Sequence, residues 1–246
     1  MNALDGKVAL VTGGARGIGR AICEAMADAG ARVAVADLNA ADAAQTAQAI
    51  DGISVAVDVT NFDALATCMQ DVEAQLGGID ILVNNAGIFN MASIDKITVE
   101  DYRRQYDVNV GGTIFACQAV APIMRKRGGG SIINFSSISY MMGNAGYHAY
   151  VAAKAGITGM TRGFAREYGP KRIRANSVMP GWVLTERQMK LWATPQALEN
   201  MLKRQCLPEH LHEADLVHGV LFLASDASRM MTSQALVIDG GVVVTG

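Results

Sequence analysis

Seven short β-branched runs recur along this chain: KVALVT (7–12), RVAVAD (32–37), ISVAVD (53–58), IDILVN (79–84), SIINFS (131–136), IRANSVM (173–179) and ALVID (235–239). They are close to continuously apolar. A strand with no polar alternation is covered on both faces, which belongs to a parallel sheet. The Ala-rich segments between them are long enough for crossover helices, and right-handed crossovers put helices on both faces. The expectation is an α/β fold with a doubly wound, seven-stranded parallel sheet. Half of the 246 residues are hydrophobic, enough for one sizeable core. No repeat, low-complexity tract or Pro- or Ser-rich linker divides the chain, so one domain over 1–246 is expected. One stretch, at about 182–212, breaks the rhythm and carries both tryptophans. Insertions of this kind often cover a site, so it is expected to be a lid.

Charge and composition narrow the partners. The formal net charge is −2 with no basic stripe, which argues against nucleic acid. No apolar run reaches about 18 residues, so no membrane span is expected. The start, MNALDGKVALVTGG, enters the first strand directly without the zones of a signal peptide, so a cytoplasmic location is expected. Cys23, Cys68, Cys117 and Cys206 lie far apart and are expected as reduced thiols, Cys23 in the core. His210, His212 and His218 lack the spacing of a helical ligand pair, and no metal site is expected.

The polar residues gather where strands end. After the first strand, Gly13, Gly17 and Gly19 give G-x-x-x-G-x-G, with Arg16 and Ile18 between them. Such a turn lets backbone N–H groups and a helix N-terminus approach a pyrophosphate. Asp37 ends the second strand 24 residues after Gly13, where a carboxylate can accept from both ribose hydroxyls and would repel a 2′-phosphate. A helix N-cap is its other reading. Arg16 pulls towards a 2′-phosphate, but Leu38 stands where a second basic residue would help, so NAD is the expected cofactor. Asp58 and Val59 end the third strand, where they could hold an adenine edge or Asp58 could cap a helix. Asn84, Asn85, Ala86 and Gly87 end the fourth. Asn109 sits in a helix-like stretch as a polar residue at a buried position. Ser137 precedes Tyr150 by thirteen residues, and Tyr150 precedes Lys154 by four, one helical turn. Tyr147, two turns from Lys154, is the less suited phenol.

Taken together, TGGARGIG, Asp37, NNAG, Asn109, Ser137, Y-x-x-x-K at Tyr150 and Lys154, and PGWVLT (180–185) resemble the short-chain dehydrogenase/reductase family over essentially the whole chain. The resemblance implies a Rossmann-like fold and hydride transfer. It implies Tyr150 as acid/base, Lys154 lowering the pKa of Tyr150 and binding the nicotinamide ribose, and Ser137 holding the substrate oxygen. Asn109 would hold a water linking Lys154 to solvent. Pro180, Gly181, Val183 and Thr185 would line the cofactor's carboxamide and pyrophosphate side. A homotetramer is implied, built partly from helices around 100–126 and 150–168, and Tyr147 has no assigned role beyond a pocket wall or subunit contact. Lowering a phenol from about 10 towards about 7 corresponds to roughly 4 kcal/mol.

PGWVLTERQ, LWATP and QCL further resemble the aldose 1-dehydrogenases of that family. The expected substrate is a cyclic aldose oxidised at C1 to its lactone. Ser139, Asn144, Arg187, Gln188 and Trp192 are the candidate substrate residues beside Tyr150, with Glu186, Trp182, Met141 and Met142 near them. Alternatives are a polyol dehydrogenase or 3-oxoacyl reductase of the same family, and a non-enzymatic nucleotide-sensing module.

Overall fold

The computed structural model describes residues 3–244. Its strands are β1 (Val8–Thr12), β2 (Arg32–Asp37), β3 (Ile53–Ala56), β4 (Ile81–Asn84), β5 (Gly130–Phe135), β6 (Ile173–Pro180) and β7 (Ala235–Ile238). They form one sheet in the order β3-β2-β1-β4-β5-β6-β7, and every neighbouring pair is parallel. The helices are α1 (Gly17–Asp28), α2 (Ala40–Ala49), α3 (Phe62–Leu76), α4 (Val99–Tyr106), α5 (Gly112–Lys126), α6 (His148–Tyr168), α7 (Glu186–Leu191), α8 (Pro195–Leu202) and α9 (Glu213–Ala224).

Period two along the strands divides the core in half. Ala9 and Val11 of β1 face a layer with Ile22, Met26, Leu216, Val220 and Leu223 from α1 and α9. Val8 and Leu10 face the opposite layer, with Leu65, Met69, Val72, Val120 and Met124 from α3 and α5. The reading of near-continuous burial holds for the central strands and fails at β3. There Ser54 and Ala56 are exposed while Ile53 and Val55 are partly buried, because an edge strand is covered on one face only. The run at 53–58 also stops pairing at Ala56, because its continuation turns around Asp58, whose Oδ1 accepts from the Thr60 N–H at 2.9 Å and hydroxyl at 2.8 Å.

Both alternative capping readings are corrected. Asn39, not Asp37, caps α2, and Asn61, not Asp58, caps α3. Cys23, Cys68 and Cys117 are buried free thiols, each pushed up to about 12 by burial, and Cys206 is exposed. His212 precedes α9, its N–H donating to Asp215 Oδ2 at 2.7 Å. Among the described residues no helix is long and apolar enough to cross a membrane, and no His, Cys, Asp and Glu cluster could hold a metal.

Two features of the order matter for a site. The order of winding reverses between β1 and β4, with successive strands added to one side and then the other, and the crevice outside the carboxyl ends at such a switch point is where open α/β sheets bind ligands. The stretch after β6 is tied at its base and loose above it. Val183 bridges Leu211, Leu184 N donates to Leu211 O at 2.8 Å, and Cys206 N donates to Gly240 O at 2.8 Å. Between these ties α7 and α8 contain no buried residue.

Candidate active site

The first wall of the crevice is the turn between β1 and α1. Gly13 and Gly17 have φ of 64° and 54°, the left-handed region that glycine tolerates. A Cβ on Gly19 would lie 2.0 Å from Gly13 O, so the helix can start so close to the strand only with glycine there. The N-terminus of α1 has no side-chain cap and no acidic residue in its first turn. Uncapped N–H groups with the helix dipole behind them suit an anion. Asp37 closes the end of β2. Its Oδ2 accepts from Ala15 N and its Oδ1 from Asn39 N, both at 3.0 Å, and each oxygen retains acceptor capacity. Arg16 is exposed and lies 3.8 Å from Asp42, a weak surface pair.

The β4 turn packs against this wall. Asn85 Nδ2 donates to Thr12 O at 3.1 Å and Gly13 O at 2.9 Å, and Ala86 N donates to Thr12 Oγ1 at 3.2 Å. The Asn85 amide therefore braces the glycine turn instead of facing into the crevice. Val59 packs against the start of α5, where a Cβ on Gly112 would come within 3.0 Å of it. Asp58 has one oxygen engaged by Thr60 and is exposed.

The helix carrying Tyr150 and Lys154 sits across the end of β5. Lys154 Nζ donates to Phe135 O at 2.8 Å, and Ser136 Oγ donates to Lys154 O at 2.7 Å. Ser137 hydrogen-bonds the Tyr150 phenol, and the Ser137 and Ser139 hydroxyls are 2.7 Å apart. Asn109 lies in a π-helical turn, 107–111, that joins α4 to α5; such turns often mark functional positions. Its Nδ2 donates to Ile88 O at 2.9 Å and Gln105 O at 2.8 Å, while its Oδ1 is buried without a partner. A Cβ on Gly87 would stand 2.9 Å from Asn109 Oδ1 and 3.5 Å from Lys154 Nζ, so both atoms border one small space. The uncapped helix, the Asp37 carboxylate and this orphaned acceptor beside a buried cation fit a dinucleotide with its ribose near Lys154.

Burial dominates the electrostatics of the pair. Burial raises the Tyr150 phenol above its usual value, the Ser137 hydrogen bond pulls it down, and Tyr147 pushes it up. Lys154 Nζ donates to the neutral Phe135 carbonyl and stands 5.7 Å from the centre of the Tyr150 ring. Burial in turn lowers Lys154 to about 8.

The remaining candidates divide. Thr185 caps α7 and approaches the glycine turn, 3.5 Å from where a Gly17 Cβ would be. Val183 is buried at the base of the flap, and Gly181 N donates to Ile238 O at 2.9 Å beside Pro180. Gln188 Oε1 accepts from Trp182 Nε1 at 2.8 Å and retains a second lone pair. That bond joins Trp182, just after β6, to α7. Arg187 is exposed, and Asn144 Nδ2 lies 4.0 Å from Met142 Sδ. Trp192 does reach the site, through a residue that sequence reasoning missed. Phe89 stacks on Tyr147 at 5.1 Å and meets Tyr150 and Trp192 edge-on at 5.1 and 5.6 Å. Its one sequence signal was its place two residues after NNAG. Tyr147 thus shares its ring partner, Phe89, with Tyr150 and Trp192.

Known proteins match this arrangement over its whole length. The family model described as enoyl-(acyl carrier protein) reductase matches residues 13–243. A Rhizobium meliloti protein named "probable galactose dehydrogenase" is 45% identical over 95% of this chain and 93% of its own. D-xylose 1-dehydrogenase of Caulobacter vibrioides is 39% identical over 97% of this chain and 96% of its own. The solved structure of a 7 alpha-hydroxysteroid dehydrogenase complexed with NADH and 7-oxo glycochenodeoxycholic acid is similar with a TM-score of 0.92, at 34% identity, covering 97% of this chain and 94% of that one. With its parallel sheet, glycine turn and Ser137, Tyr150 and Lys154 at one strand end, this chain belongs to the short-chain dehydrogenase/reductase family and is an oxidoreductase that acts on CH–OH groups with a nicotinamide cofactor.

Proposed function

We propose that the enzyme oxidises the C1 hydroxyl of a cyclic aldose to the lactone, with NAD in preference to NADP. The observation that carries this reading is the wall of aromatic rings, Phe89, Tyr147 and Trp192, around the Tyr150 phenol, with the hydroxyls of Ser137 and Ser139 beside it. Flat rings suit the C–H faces of a sugar ring, and hydroxyls suit its oxygens. Bound NAD supplies the hydride acceptor. Ser137 holds the substrate hydroxyl, and Tyr150 takes its proton. Lys154 orients the ribose, and Asn109 Oδ1 anchors the path by which the proton leaves towards solvent. Asp37 receives the adenosine ribose and repels a 2′-phosphate. The flap over 182–212 forms the outer wall. Family resemblance extends the reading to a homotetramer. Val99 and Tyr102 are exposed on α4, and a Cβ on Gly156, Gly159 or Gly163 of α6 would meet nothing within 4 Å, so these faces allow close approach of a second subunit.

A second reading has one observation in its favour. Met91, Met189 and Leu191 are exposed on the loop after β4 and on the flap, and this apolar rim would suit a 3-oxoacyl thioester.

Four outcomes are expected. A panel of epimeric aldoses, polyols and oxoacyl thioesters, each with NAD and NADP, should give its highest kcat/KM with an aldose and NAD, and Asp37→Ala should narrow the cofactor preference. Best turnover of a thioester, or equal use of both cofactors, would reject the assignment. Tyr150→Phe should lose most activity while NADH binding by fluorescence stays near wild type, and Tyr147→Phe should be mild; the reverse order would name the wrong phenol. Sedimentation should give a mass four times that of the chain, and a stable monomer at micromolar concentration would exclude the tetramer.

The fourth concerns pH. The unfolded chain keeps the Lys154 proton up to about 10.5, and the folded chain releases it at about 8. Burying the cation therefore costs stability fully below about 8, and the cost fades as pH rises to about 10.5. In urea unfolding, wild type should gain on Lys154→Met as pH rises through that window. A difference independent of pH would show that burial is not what perturbs this lysine.

A further inference from the structure

Phe89 occupies a position that neither the hydride transfer nor the glycine turn explains. Its backbone is fixed on both sides. Asn109 Nδ2 holds Ile88 O at 2.9 Å, Asn90 N donates to Gln105 Oε1 at 3.4 Å, and Asn90 Nδ2 donates to Asp101 Oδ1 at 3.0 Å. The ring is therefore a post mounted on the α4–α5 helix. On one side it meets Tyr150 edge-on at 5.1 Å, on another it stacks on Tyr147, which precedes the helix that carries Tyr150. On its outer side it receives Trp192, the residue that ends α7, edge-on at 5.6 Å.

The flap needs such a post. Its base is tied through Val183, Leu184 and Leu211 and again at Cys206, but α7 and α8 contribute no buried residue of their own. An element with few buried apolar contacts opens at low free energy. Trp192 on Phe89 gives it an aromatic attachment to the body of the enzyme. Edge-to-face pairs at these separations contribute beyond their buried area.

We propose that Phe89 is a positioning residue with two partners, latching the flap through Trp192 and setting the orientation of the Tyr150 ring, so that closure and alignment of the phenol depend on the same ring. The second half rests on Tyr150 as the acid/base proposed above; the first half does not.

The test separates them. Limited tryptic digestion of the full-length enzyme reads flap opening without any substrate, because Arg187, Lys190, Lys203 and Arg204 all lie in the flap. Phe89→Ala should speed cleavage there by roughly fivefold or more, Trp192→Ala should do the same, and the double variant should be no faster than the faster single one, since either loss opens the same latch. Phe89→Tyr, which keeps the ring, should digest as wild type. Phe89→Leu, which keeps apolar bulk and guards against a misfolded alanine variant, should behave as the alanine variant. Kinetics on whichever alcohol the wild type oxidises then reads the phenol. Phe89→Ala should lower kcat by roughly tenfold as well as raising KM, whereas Trp192→Ala should act mainly on KM. Wild-type cleavage rates in Phe89→Leu, or rates that multiply in the double variant, would overturn the latch. An unchanged kcat in Phe89→Ala would overturn the alignment. Failure of every aldose would reject the sugar assignment and leave the digestion result to decide the latch.

Discussion

Four consecutive residues at the end of β5 grip one helix, and the placement of Tyr150 and Lys154 depends on that grip. Asn134 Nδ2 donates to Thr161 Oγ1 at 3.0 Å, Phe135 O accepts from Lys154 Nζ, Ser136 Oγ donates to Lys154 O, and Ser137 bonds the Tyr150 phenol. Thr158 Oγ1 donates to Ser136 Oγ at 2.9 Å as well, so helix and strand are sewn over three turns. Such a fully connected buried network fixes one register of helix on strand, because sliding the helix would strand several polar groups without water. The network continues into the sheet through Asn84 Nδ2 on Asn134 Oδ1 at 2.9 Å, which joins β4 to β5 under the crevice. The same sheet thus positions the glycine turn and the helix that holds Tyr150 and Lys154.

Keeping an ammonium in this network opposes stability. Burial depresses Lys154, and its partner is a neutral carbonyl instead of a carboxylate. A carboxylate partner would hold the cation more firmly and would also oppose a nearby phenolate by like charge. The neutral partner leaves the cation's field available to whatever enters beside Gly87. Burial keeps the phenol protonated until that happens. A cation brought close to this phenol would oppose the effect of burial and favour its ionised form.

Much of this was legible in the sequence, for identifiable reasons. Hydrophobic runs located the strands because burial on both faces leaves a continuous pattern; the run at 53–58 overshot β3 because Val57 is buried beyond the strand's end, where the chain turns around Asp58. The four-residue spacing of Tyr150 and Lys154 named the pair because helical geometry fixes which side chains share a face. That spacing says nothing of how deeply the phenol is buried or where the ammonium points: burial raises Tyr150, and the Phe135 carbonyl that receives Lys154 is a main-chain atom with no sequence mark. Asn39 and Asn61 took the capping roles offered to Asp37 and Asp58, a displacement of two or three residues that decides whether a carboxylate is free. Phe89 stayed hidden because an aromatic after a strand is most often ordinary packing, and only distances to three other rings set it apart.

The division between the gripped helix and the flap has a consequence for substrate choice. Residues in α7 and α8 are exposed or partly exposed, so most changes there alter stability by about half a kilocalorie or less. Changes at Asn134, Ser136 or Thr161 leave buried polar groups unpaired and cost about 1–3 kcal/mol each. Variation that leaves the enzyme folded is therefore channelled into α7 and α8, away from the network around Tyr150 and Lys154. Phe89 lies on the boundary: its backbone is part of the fixed framework and its ring is part of the variable wall. A change there is felt by both Trp192 and Tyr150, so selectivity and rate cannot be tuned independently at that one position.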